Sequence, residues 1–452
     1  MTQSKPSHCV AVIGGAVAGA EIAGALADGG AEVVVFEQNP RPYGKIEDGL
    51  PRWHVALRRK EYGAITGHLS KPGVHFVPLT EVGRDVSFDA LVNEWGFSGV
   101  VLANGAWRDR SLPLDGADDY IDKGLVYQNP FVIWFNHMNE ADYAGQTFDV
   151  HDETLVVGGG LASIDVAKIL MLETARAKLA ERGIDEPMLE LEVKGIPKIL
   201  ERHDLAFEDL GLTGCTIYYR RDIEDMPLAE IPDGADERRT EKVRASRRKL
   251  LDKAMTKYRF GIEPLCMPDG LIVEDGQLVG LRFRRTRMEN GRPVPTDETF
   301  ERRGPRVISS IGSIPLAIEG IPMKGDLFDF VDWDLGRLAE FPTVFATGNV
   351  ATGKGNIIAS RKHAKALSAV MIEAFLGLGE AGHAGEEAIA DAGQEAAREQ
   401  AAGIAAEIRR QPPIDDAALA ALRQRVASRQ EAVGYTGDFE TWIAKVTPAD
   451  LE

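Results

Sequence analysis

Residues 10–38 read VAVIGGAVAGAEIAGALADGGAEVVVFEQ, and this stretch decides the fold. It predicts an apolar strand, a glycine turn at Gly14 to Gly19, a helix of small residues and a second apolar strand that ends at Glu37. Glycine suits such a turn because the chain reverses tightly and the helix lies close to the strand. The helix start offers free N–H groups to a pyrophosphate, and an acid about 20 residues further on suits ribose hydroxyls. A dinucleotide site is therefore predicted, although Ala16 replaces the usual middle glycine; an ordinary strand–helix turn is the alternative.

A second, more regular turn follows in residues 155–170, LVVGGGLASIDVAKIL. Gly158 and Gly160 occupy its first two glycine positions, and Ser163 is small enough for helix and strand to approach. The strand IYYRRD then places Arg220 and Arg221 at its C-terminal end, where two guanidinium groups suit the 2′-phosphate of NADPH. A solvated arginine pair is the alternative reading of these residues, and the pattern does not exclude NADH.

Composition indicates a large enzyme of two or three domains, because 452 residues with 44% hydrophobic content can bury two cores. The sequence contains no apolar run of about 20 residues, so no membrane span is predicted. Its N-terminus reaches the first strand too soon for a signal peptide, and we expect a cytoplasmic protein. Its three cysteines form no C-x-x-C pair, which argues against a disulfide framework or an iron–sulfur site. The formal charge of −18 argues against nucleic acid as a partner.

A basic segment at residues 237–260, ERRTEKVRASRRKLLDKAMTKYRF, is the exception to the acidic composition. Its apolar residues recur at helical spacing, so the segment is predicted to be a helix with a basic face. The arginines of that face are Arg238, Arg239, Arg244, Arg247 and Arg248. The face is interpreted as a docking site for an acidic protein or an extension of the phosphate-binding surface, with a solvated charged face as the alternative.

Several further segments carry a family resemblance. Residues 37–54, EQNPRPYGKIEDGLPRWH, join an acid to a proline-rich turn, an aromatic-Gly pair, another glycine and a histidine. VVLANGAWRDRSLPLDG, NPFVIWFNH and VFATGNVATGKGNIIASRKHAKAL follow in order. Together with both glycine turns, these segments resemble adrenodoxin reductase and its bacterial ferredoxin–NADP(+) reductase relatives over residues 8–377. YRRDIEDMP also resembles the FAD/NADPH portion of the glutamate synthase small subunit, whose cysteine-rich N-terminal domain is absent here. Lys45, Glu47 and Pro51 to Trp53 depart from the reductase pattern.

The resemblance implies an α/β fold with two doubly wound dinucleotide-binding, Rossmann-like domains, the FAD domain being discontinuous. FAD binding is expected from residues 1–112 and 335–377, and NADP binding from residues 113–334. After residue 378 the composition changes to Ala, Glu and Gln, which predicts a helical extension over residues 378–452. The extension is expected to pack on its own catalytic domain, to mediate oligomers or to dock a partner.

The resemblance and the two turns also assign site residues. Those expected to bind FAD are Gly14, Gly15, Ala18, Gly19, Glu37, Gly44, Gly105, Gly348, Asn349, Gly355, Asn356 and Ile357. Those expected to bind NADP(H) are Gly158, Gly160, Leu161, Ala162, Ser163, Arg220 and Arg221. His54 matches a histidine that lies near the flavin in the family, and Glu230 is the nearest counterpart of the family's acid near the nicotinamide. No metal ligand is assigned.

The expected activity is hydride transfer from NADPH to FAD, followed by single-electron transfer to a ferredoxin-like iron–sulfur protein. The flavin supplies the redox chemistry in such enzymes, and the protein supplies binding and orientation. Two alternatives stay open. One is a flavin-dependent oxidase or monooxygenase of a small organic substrate, and the other is an NAD(P)H-reducible flavoprotein subunit of a larger complex.

Overall fold

Two parallel five-stranded sheets form the framework of the chain in the computed structural model, which describes residues 6–228, 231, 234–352, 376–378 and 382–448. The first sheet has the spatial order Val344–Ala346, Gly99–Leu102, Cys9–Ile13, Glu32–Phe36 and Val74–Val77. The second has the order Leu125–Tyr127, Val307–Ser310, Leu155–Gly158, Thr216–Tyr218 and Gly261–Glu263. Parallel strands are joined by helices that cover both faces of a sheet, so their apolar side chains become buried.

Strand register places each glycine turn at the carboxyl edge of its sheet. Ile13 pairs with Phe36 on one side and Leu102 on the other, so these three strands end level with one another. In the second sheet Gly158 pairs with Ser310 in the same way. Ligands of open parallel sheets bind beyond the carboxyl ends of the strands, which is where both turns lie.

A two-stranded ribbon marks the passage between the two sheets. Arg108–Asp109 pairs antiparallel with Ser313–Ile314, so the chain leaves the first sheet and returns to it at the same place. The strand Val344–Ala346 then completes the first sheet beside Gly99–Leu102. This connectivity is the one that a discontinuous first domain requires.

Two short hairpins follow the ribbon and pack with the first sheet. Their strands are Met323–Lys324, Leu327–Phe328, Phe330–Asp332 and Arg337–Leu338. Phe328, Phe330 and Leu338 are buried in the same apolar cluster as Val34 and Val344 of the first sheet. Contacts with the first sheet therefore begin before residue 335.

A three-stranded antiparallel sheet lies in the second half of the chain and does not follow from the dinucleotide motifs. Its strands are Cys266–Glu274, Gln277–Glu289 and Arg292–Arg303. Each connection is a two-residue turn, Asp275-Gly276 and Asn290-Gly291, with positive φ at all four residues. Asp-Gly and Asn-Gly are the preferred pairs for such turns, because their twist matches that of the paired strands.

Helices surround the sheets. In chain order the α-helices are Val17–Asp28, Lys45–Asp48, Val55–Leu69, Phe88–Asn93, Gln128–His137, Leu161–Ala180, Met188–Lys194, Ile196–Glu201, Glu237–Tyr258, Asn349–Thr352, Gly382–Ile408, Asp416–Ala432 and Phe439–Val446. Short 3₁₀ turns occupy Ala117–Tyr120, Phe207–Leu210 and Ile223–Asp225. None of the helices within the described ranges has both the length and the apolar character needed to cross a membrane.

The last three helices, Gly382–Ile408, Asp416–Ala432 and Phe439–Val446, are the C-terminal helices, and they pack on the first domain. Leu419, Leu422 and Val426 enter the buried cluster under the first sheet, as the apolar spacing of this segment indicates. Arg398 Nε lies 2.6 Å from Glu21 Oε1 on the helix Val17–Asp28. Of the three roles expected for the extension, packing on its own domain is the one that these contacts show.

Candidate functional site

The first glycine turn is built by close backbone approach. Gly14 has φ +101°, and a Cβ there would lie 2.5 Å from the carbonyl oxygen of Ala103. At Gly19 a Cβ would lie 1.9 Å from the carbonyl oxygen of Gly14. The following helix, Val17–Asp28, begins after Ala16 without a side-chain cap and has no acid in its first turn. Its first N–H groups and its dipole are therefore available to an anion, as the prediction of a pyrophosphate site requires.

Glu37 lies against this turn and is held by it. Its two carboxylate oxygens accept hydrogen bonds of 2.9 Å from the backbone N–H groups of Gly15 and Asn39. Burial raises the pKa of Glu37 to about 7, against the lowering effect of these N–H donors. A carboxylate oxygen has a further lone pair after one such bond, so Glu37 keeps acceptor capacity for ribose hydroxyls.

Three further chain segments converge on the start of the helix Val17–Asp28. A Cβ on Gly44, which has φ +50°, would lie 2.8 Å from the Cβ of Ala16. A Cβ on Gly348, which has φ +67°, would lie 3.0 Å from the Cβ of Ala18. Gly105 follows the strand Gly99–Leu102 at the same carboxyl edge, again with positive φ. The structure thus brings together the segments from which FAD binding is predicted.

Five further predicted site residues complete the set. Gly355, Asn356, Ile357 and Glu230 lie outside the residues that the structure describes. Asn349 opens the short helix Asn349–Thr352 directly after Gly348. The roles of these residues stay predictions.

The second glycine turn repeats the construction of the first. A Cβ on Gly158 would lie 2.2 Å from Ser163 Oγ and 2.4 Å from the carbonyl oxygen of Ser310, so only glycine fits. Ser163 Oγ donates to that carbonyl at 3.1 Å, which ties the helix to the neighbouring strand. Leu161 and Ala162 open the helix Leu161–Ala180, which also lacks a side-chain cap and an acidic first turn.

Gly160 differs from the other turn glycines because the space beside it is open. Among the residues that the structure describes, none would have an atom within 4 Å of a Cβ at this position, and the φ of −98° suits any residue. The fold itself therefore does not need glycine here. Space at an uncapped helix start is what a bound pyrophosphate requires, so Gly160 fits a nucleotide site.

Arg220 and Arg221 follow the strand Thr216–Tyr218 by two and three residues. The carbonyl oxygen of Arg220 accepts from Thr286 Oγ1 at 2.8 Å, so the antiparallel sheet fixes the backbone at this point. The Arg221 guanidinium donates to the carbonyl oxygen of Gly291 at 3.3 Å. The Arg220 side chain is exposed, and its guanidinium forms no hydrogen bond or ion pair with another residue of the described ranges, which leaves it available to an anionic ligand.

The prediction of an unpaired basic docking face is wrong for three of its arginines, Arg244, Arg247 and Arg248. Arg247 is buried, and its guanidinium donates to the carbonyl oxygen of Glu224 at 2.8 Å. Arg244 and Arg248 are exposed but pair with Asp225 at 3.3 Å and Glu224 at 3.0 Å. These three arginines hold the turn that follows Arg221 rather than forming an unpaired basic face. The physical reason is tertiary, because the helix Glu237–Tyr258 turns this side toward residues 223–225.

The remaining arginines of the predicted face, Arg238 and Arg239, are exposed in the first turn of the same helix. Asp236 caps that turn by accepting from the backbone N–H of Arg239 at 2.7 Å. The exposed basic surface is thus smaller than the sequence predicts and lies at the helix start.

His54 is buried at the junction of the two domains, with 1% of its surface exposed. Its Nε2 lies 3.9 Å from Oδ1 of Asp165, which belongs to the helix Leu161–Ala180 of the second turn. His54 itself stands at the start of the helix Val55–Leu69, which packs on the helix of the first turn. His54 therefore lies between a helix that packs on the first glycine-turn helix and the helix that follows the second glycine turn.

Sequence reasoning missed two lysines at the same junction, the half-buried Lys45 and the fully buried Lys168. Lys45 Nζ donates to Asn129 Oδ1 and to Ser313 Oγ, both at 3.1 Å, and burial lowers its pKa to about 8. Lys168 Nζ lies 2.8 Å from Glu192 Oε1 and 4.5 Å from the ring centroid of Trp53, the neighbour of His54. The first lysine could have been found from the sequence, because position 45 departs from the family pattern. No sequence signal marks the second.

Asn136, on the helix Gln128–His137, supports the loop that leads to His54. Its side-chain amide donates to the carbonyl oxygens of Glu47 at 2.8 Å and Leu50 at 3.0 Å. The segment NPFVIWFNH, which contributed to the family resemblance, therefore fixes the backbone between Gly44 and His54.

Comparisons with known proteins agree with this architecture. No protein-family model matches the chain. The mitochondrial NADPH:adrenodoxin oxidoreductase of Arabidopsis thaliana is 24% identical over 404 residues, covering 79% of this chain and 80% of the plant enzyme. The small chain of the NADPH glutamate synthase of Bacillus subtilis is 28% identical over 174 residues, covering 37% of this chain and 33% of that protein. The chain thus spans about a third of this second relative.

Among solved structures, FprA of Mycobacterium tuberculosis in complex with NADPH matches with a TM-score of 0.64 and 18% identity, covering 94% of this chain and 91% of FprA. This likeness confirms the predicted fold class, with two Rossmann-like domains. The names of the relatives agree with the predicted oxidoreductase class. The predicted resemblance to the adrenodoxin reductase-like ferredoxin–NADP(+) reductases is therefore confirmed.

Proposed function

We propose that the chain is an FAD-dependent oxidoreductase that takes hydride from NADPH and passes single electrons to a ferredoxin-like iron–sulfur protein. The observation that carries this proposal is the pair of uncapped helix starts, one beside Glu37 and one beside Tyr219, the neighbour of Arg220, in domains joined through His54 and Asp165. Each start offers N–H groups and a positive dipole end to a pyrophosphate. Two dinucleotides held in one chain favour electron transfer between them.

The residues of the first turn suit FAD. Gly14 and Gly19 let the turn, the strand and the helix approach closely, which presents the helix start to the diphosphate, and Glu37 offers acceptors to the ribose. Gly44 and Gly348 approach the same helix start without side chains. The bound flavin would supply the ability to take two electrons together and release them singly.

The residues of the second turn suit NADPH. Gly158 and Ser163 hold strand and helix close, and Gly160 leaves the space for the pyrophosphate. Arg220 and Arg221 offer guanidinium forks to the 2′-phosphate, which NADH lacks. NADPH is therefore the proposed electron donor.

His54 and Asp165 are proposed to shape the place where the nicotinamide meets the flavin. The buried imidazole of His54 lies 3.9 Å from the buried Asp165 carboxylate, so the two side chains can orient each other beside the nicotinamide. Their burial also excludes water between the domains, which protects a reduced cofactor from side reactions.

The acceptor assay tests the second half of the reaction. FAD-loaded protein is mixed anaerobically with NADPH and a two-iron ferredoxin, and cytochrome c reduction reports electrons that leave the ferredoxin. We expect cytochrome c reduction that requires ferredoxin. NADPH consumption that requires oxygen and a small organic substrate, with no ferredoxin-dependent rate, would favour the oxidase or monooxygenase alternative instead.

The exposed arginines at the start of the helix Glu237–Tyr258 are the proposed docking residues. Replacing Arg238 and Arg239 together by glutamine should lower the ferredoxin-dependent rate about three- to tenfold at low salt, because charge complementarity mainly accelerates encounter. The loss should shrink as salt screens the attraction. Flavin reduction by NADPH serves as the internal control and should not change. An unchanged ferredoxin rate would place docking elsewhere.

A further inference from the structure

We propose that the C-terminal helices position Glu37 for the FAD ribose by holding the two loops that border it, with Arg429 and Trp442 as the positioning residues. The loops are residues 38–42, which follow Glu37, and residues 78–80, which follow the edge strand Val74–Val77. This inference rests on the proposed function and assigns the C-terminal extension a part in cofactor binding.

The two loops are bonded to Glu37 and to each other. The N–H of Asn39 donates to Glu37 Oε1 at 2.9 Å, and the N–H of Thr80 donates to the carbonyl oxygen of Glu37 at 2.8 Å. The N–H of Leu79 reaches the carbonyl oxygen of Asn39 at 3.4 Å. A shift of either loop therefore moves the carboxylate that is proposed to bind the ribose.

The second loop has a backbone conformation that needs support. Leu79 has φ +51°, in the left-handed region that residues with a Cβ rarely adopt. Such conformations persist only where the surroundings hold them, and they cluster at functional sites. The Leu79 side chain is 39% exposed, so apolar burial contributes little of that support.

Arg429 supplies the support from the helix Asp416–Ala432. Its Nη2 donates to the carbonyl oxygen of Leu79 at 3.1 Å, and its Nε donates to Thr80 Oγ1 at 2.9 Å. Asp85 lies 3.6 Å from the same guanidinium and orients it. One planar cation thus fixes two consecutive residues of the loop, a task that suits the fork geometry of arginine.

Trp442 holds the other loop from the last helix, Phe439–Val446. Its indole N–H donates to the carbonyl oxygen of Pro40 at 2.8 Å, and the residue is 5% exposed. The ring of Tyr435 packs edge-on against the indole with centroids 5.6 Å apart, which fixes the direction of the donor. Pro40 follows Asn39 directly, so this bond acts on the residue next to a Glu37 partner.

The C-terminal helices are anchored independently of these loops. Arg423 forms an ion pair with Glu32 at 2.6 Å, at the opposite end of the strand Glu32–Phe36 from Glu37. Gln430 donates to the carbonyl oxygen of Phe76 at 2.8 Å. On the last helix, the ring of Phe439 packs edge-on against Phe76 with centroids 5.0 Å apart, so the contacts of Arg429 and Trp442 can be removed while both helices stay attached.

The test compares two variants of the full chain. In Arg429→Met with Trp442→Phe, the arginine stem and an aromatic ring remain while the donors to the loops are lost. In the control Arg423→Met, an ion pair of the same helices is lost far from Glu37. Hydrogen exchange of residues 38–42 and 78–80 is measured in the FAD-free protein, and FAD release is followed by the recovery of flavin fluorescence.

We expect faster exchange in both loops of the double variant and a FAD dissociation constant raised about tenfold or more, since each lost hydrogen bond contributes a factor of about five. Arg423→Met should lower thermal stability yet keep FAD affinity within about twofold. A double variant that retains FAD as tightly as the wild type, or an equal loss in Arg423→Met, would overturn this inference alone. A wild-type protein that binds no FAD would overturn the proposed function as well.

Discussion

Gly160→Ala should lower the rate of flavin reduction by NADPH about 100-fold while leaving the fold intact. Within the described part of the chain nothing lies within 4 Å of a Cβ at position 160, so we expect the added methyl group to meet only a bound ligand. Blocking backbone approach to a pyrophosphate removes charge-assisted hydrogen bonds that contribute about 2–3 kcal/mol, which corresponds to that factor. The rate of flavin reduction is measured by anaerobic stopped-flow at a subsaturating concentration of NADPH.

Two companion variants separate ligand effects from folding effects. Gly67→Ala places a methyl group in equally open space on the exposed side of the helix Val55–Leu69 and should leave NADPH reduction unchanged. Gly158→Ala should instead destabilise the protein, because its Cβ would lie 2.2 Å from Ser163 Oγ. Wild-type NADPH kinetics in Gly160→Ala would mean that no nucleotide pyrophosphate binds at this helix start.

Replacing Arg220 and Arg221 together by glutamine should reverse much of the preference for NADPH. Two hydrogen bonds to a charged phosphate contribute about 1.5–3 kcal/mol each, so kcat/KM for NADPH should fall about 100-fold or more. The value for NADH should stay within about threefold, because NADH has no 2′-phosphate for these residues to bind. The ratio of the two kcat/KM values is the measured quantity.

Arg303→Gln provides the control for that experiment, since Arg303 is an exposed arginine of the same half of the chain that pairs with Glu274 at 2.7 Å. It removes a positive charge without touching the second glycine turn. Equal losses for NADPH and NADH in the Arg220 and Arg221 variant would show that these arginines do not read the 2′-phosphate.

The dinucleotide parts of the fold could be predicted from the sequence because their signals are local. Gly14, Gly19 and Gly158 stand where backbone atoms leave no room for a Cβ, and this requirement is visible in the spacing alone. Likewise, Glu37 follows its strand at the distance typical of a ribose-binding acid. The structure brings these residues together at the carboxyl edges of two parallel sheets.

The three-stranded antiparallel sheet is also predictable from the sequence, through its two turns. Asp275-Gly276 and Asn290-Gly291 are strong hairpin turns between β-forming segments. Recognising them would have predicted the sheet that fixes the backbone of Arg220 through Thr286. This sheet is therefore encoded locally, by the chemistry of its two turns.

Other features depend on tertiary contacts that no local pattern encodes. Arg247 was expected on an exposed basic face, yet it reaches the carbonyl oxygen of a residue 23 positions earlier in the chain. Trp442 and Arg429 contact loops some 350 to 400 residues away in sequence. A helical period indicates which side of a helix is buried, but it does not identify the surface that buries it.

Anaerobic mixing of the FAD-loaded protein with NADPH, and separately with NADH, tests the central claim most directly. The visible absorption band of the oxidised flavin is recorded through time, because flavins lose this band when they accept a hydride. The account predicts rapid bleaching with NADPH and markedly slower bleaching with NADH at the same concentration. A bound flavin that neither nucleotide bleaches would contradict the claim that the two glycine turns hold an electron donor and its acceptor.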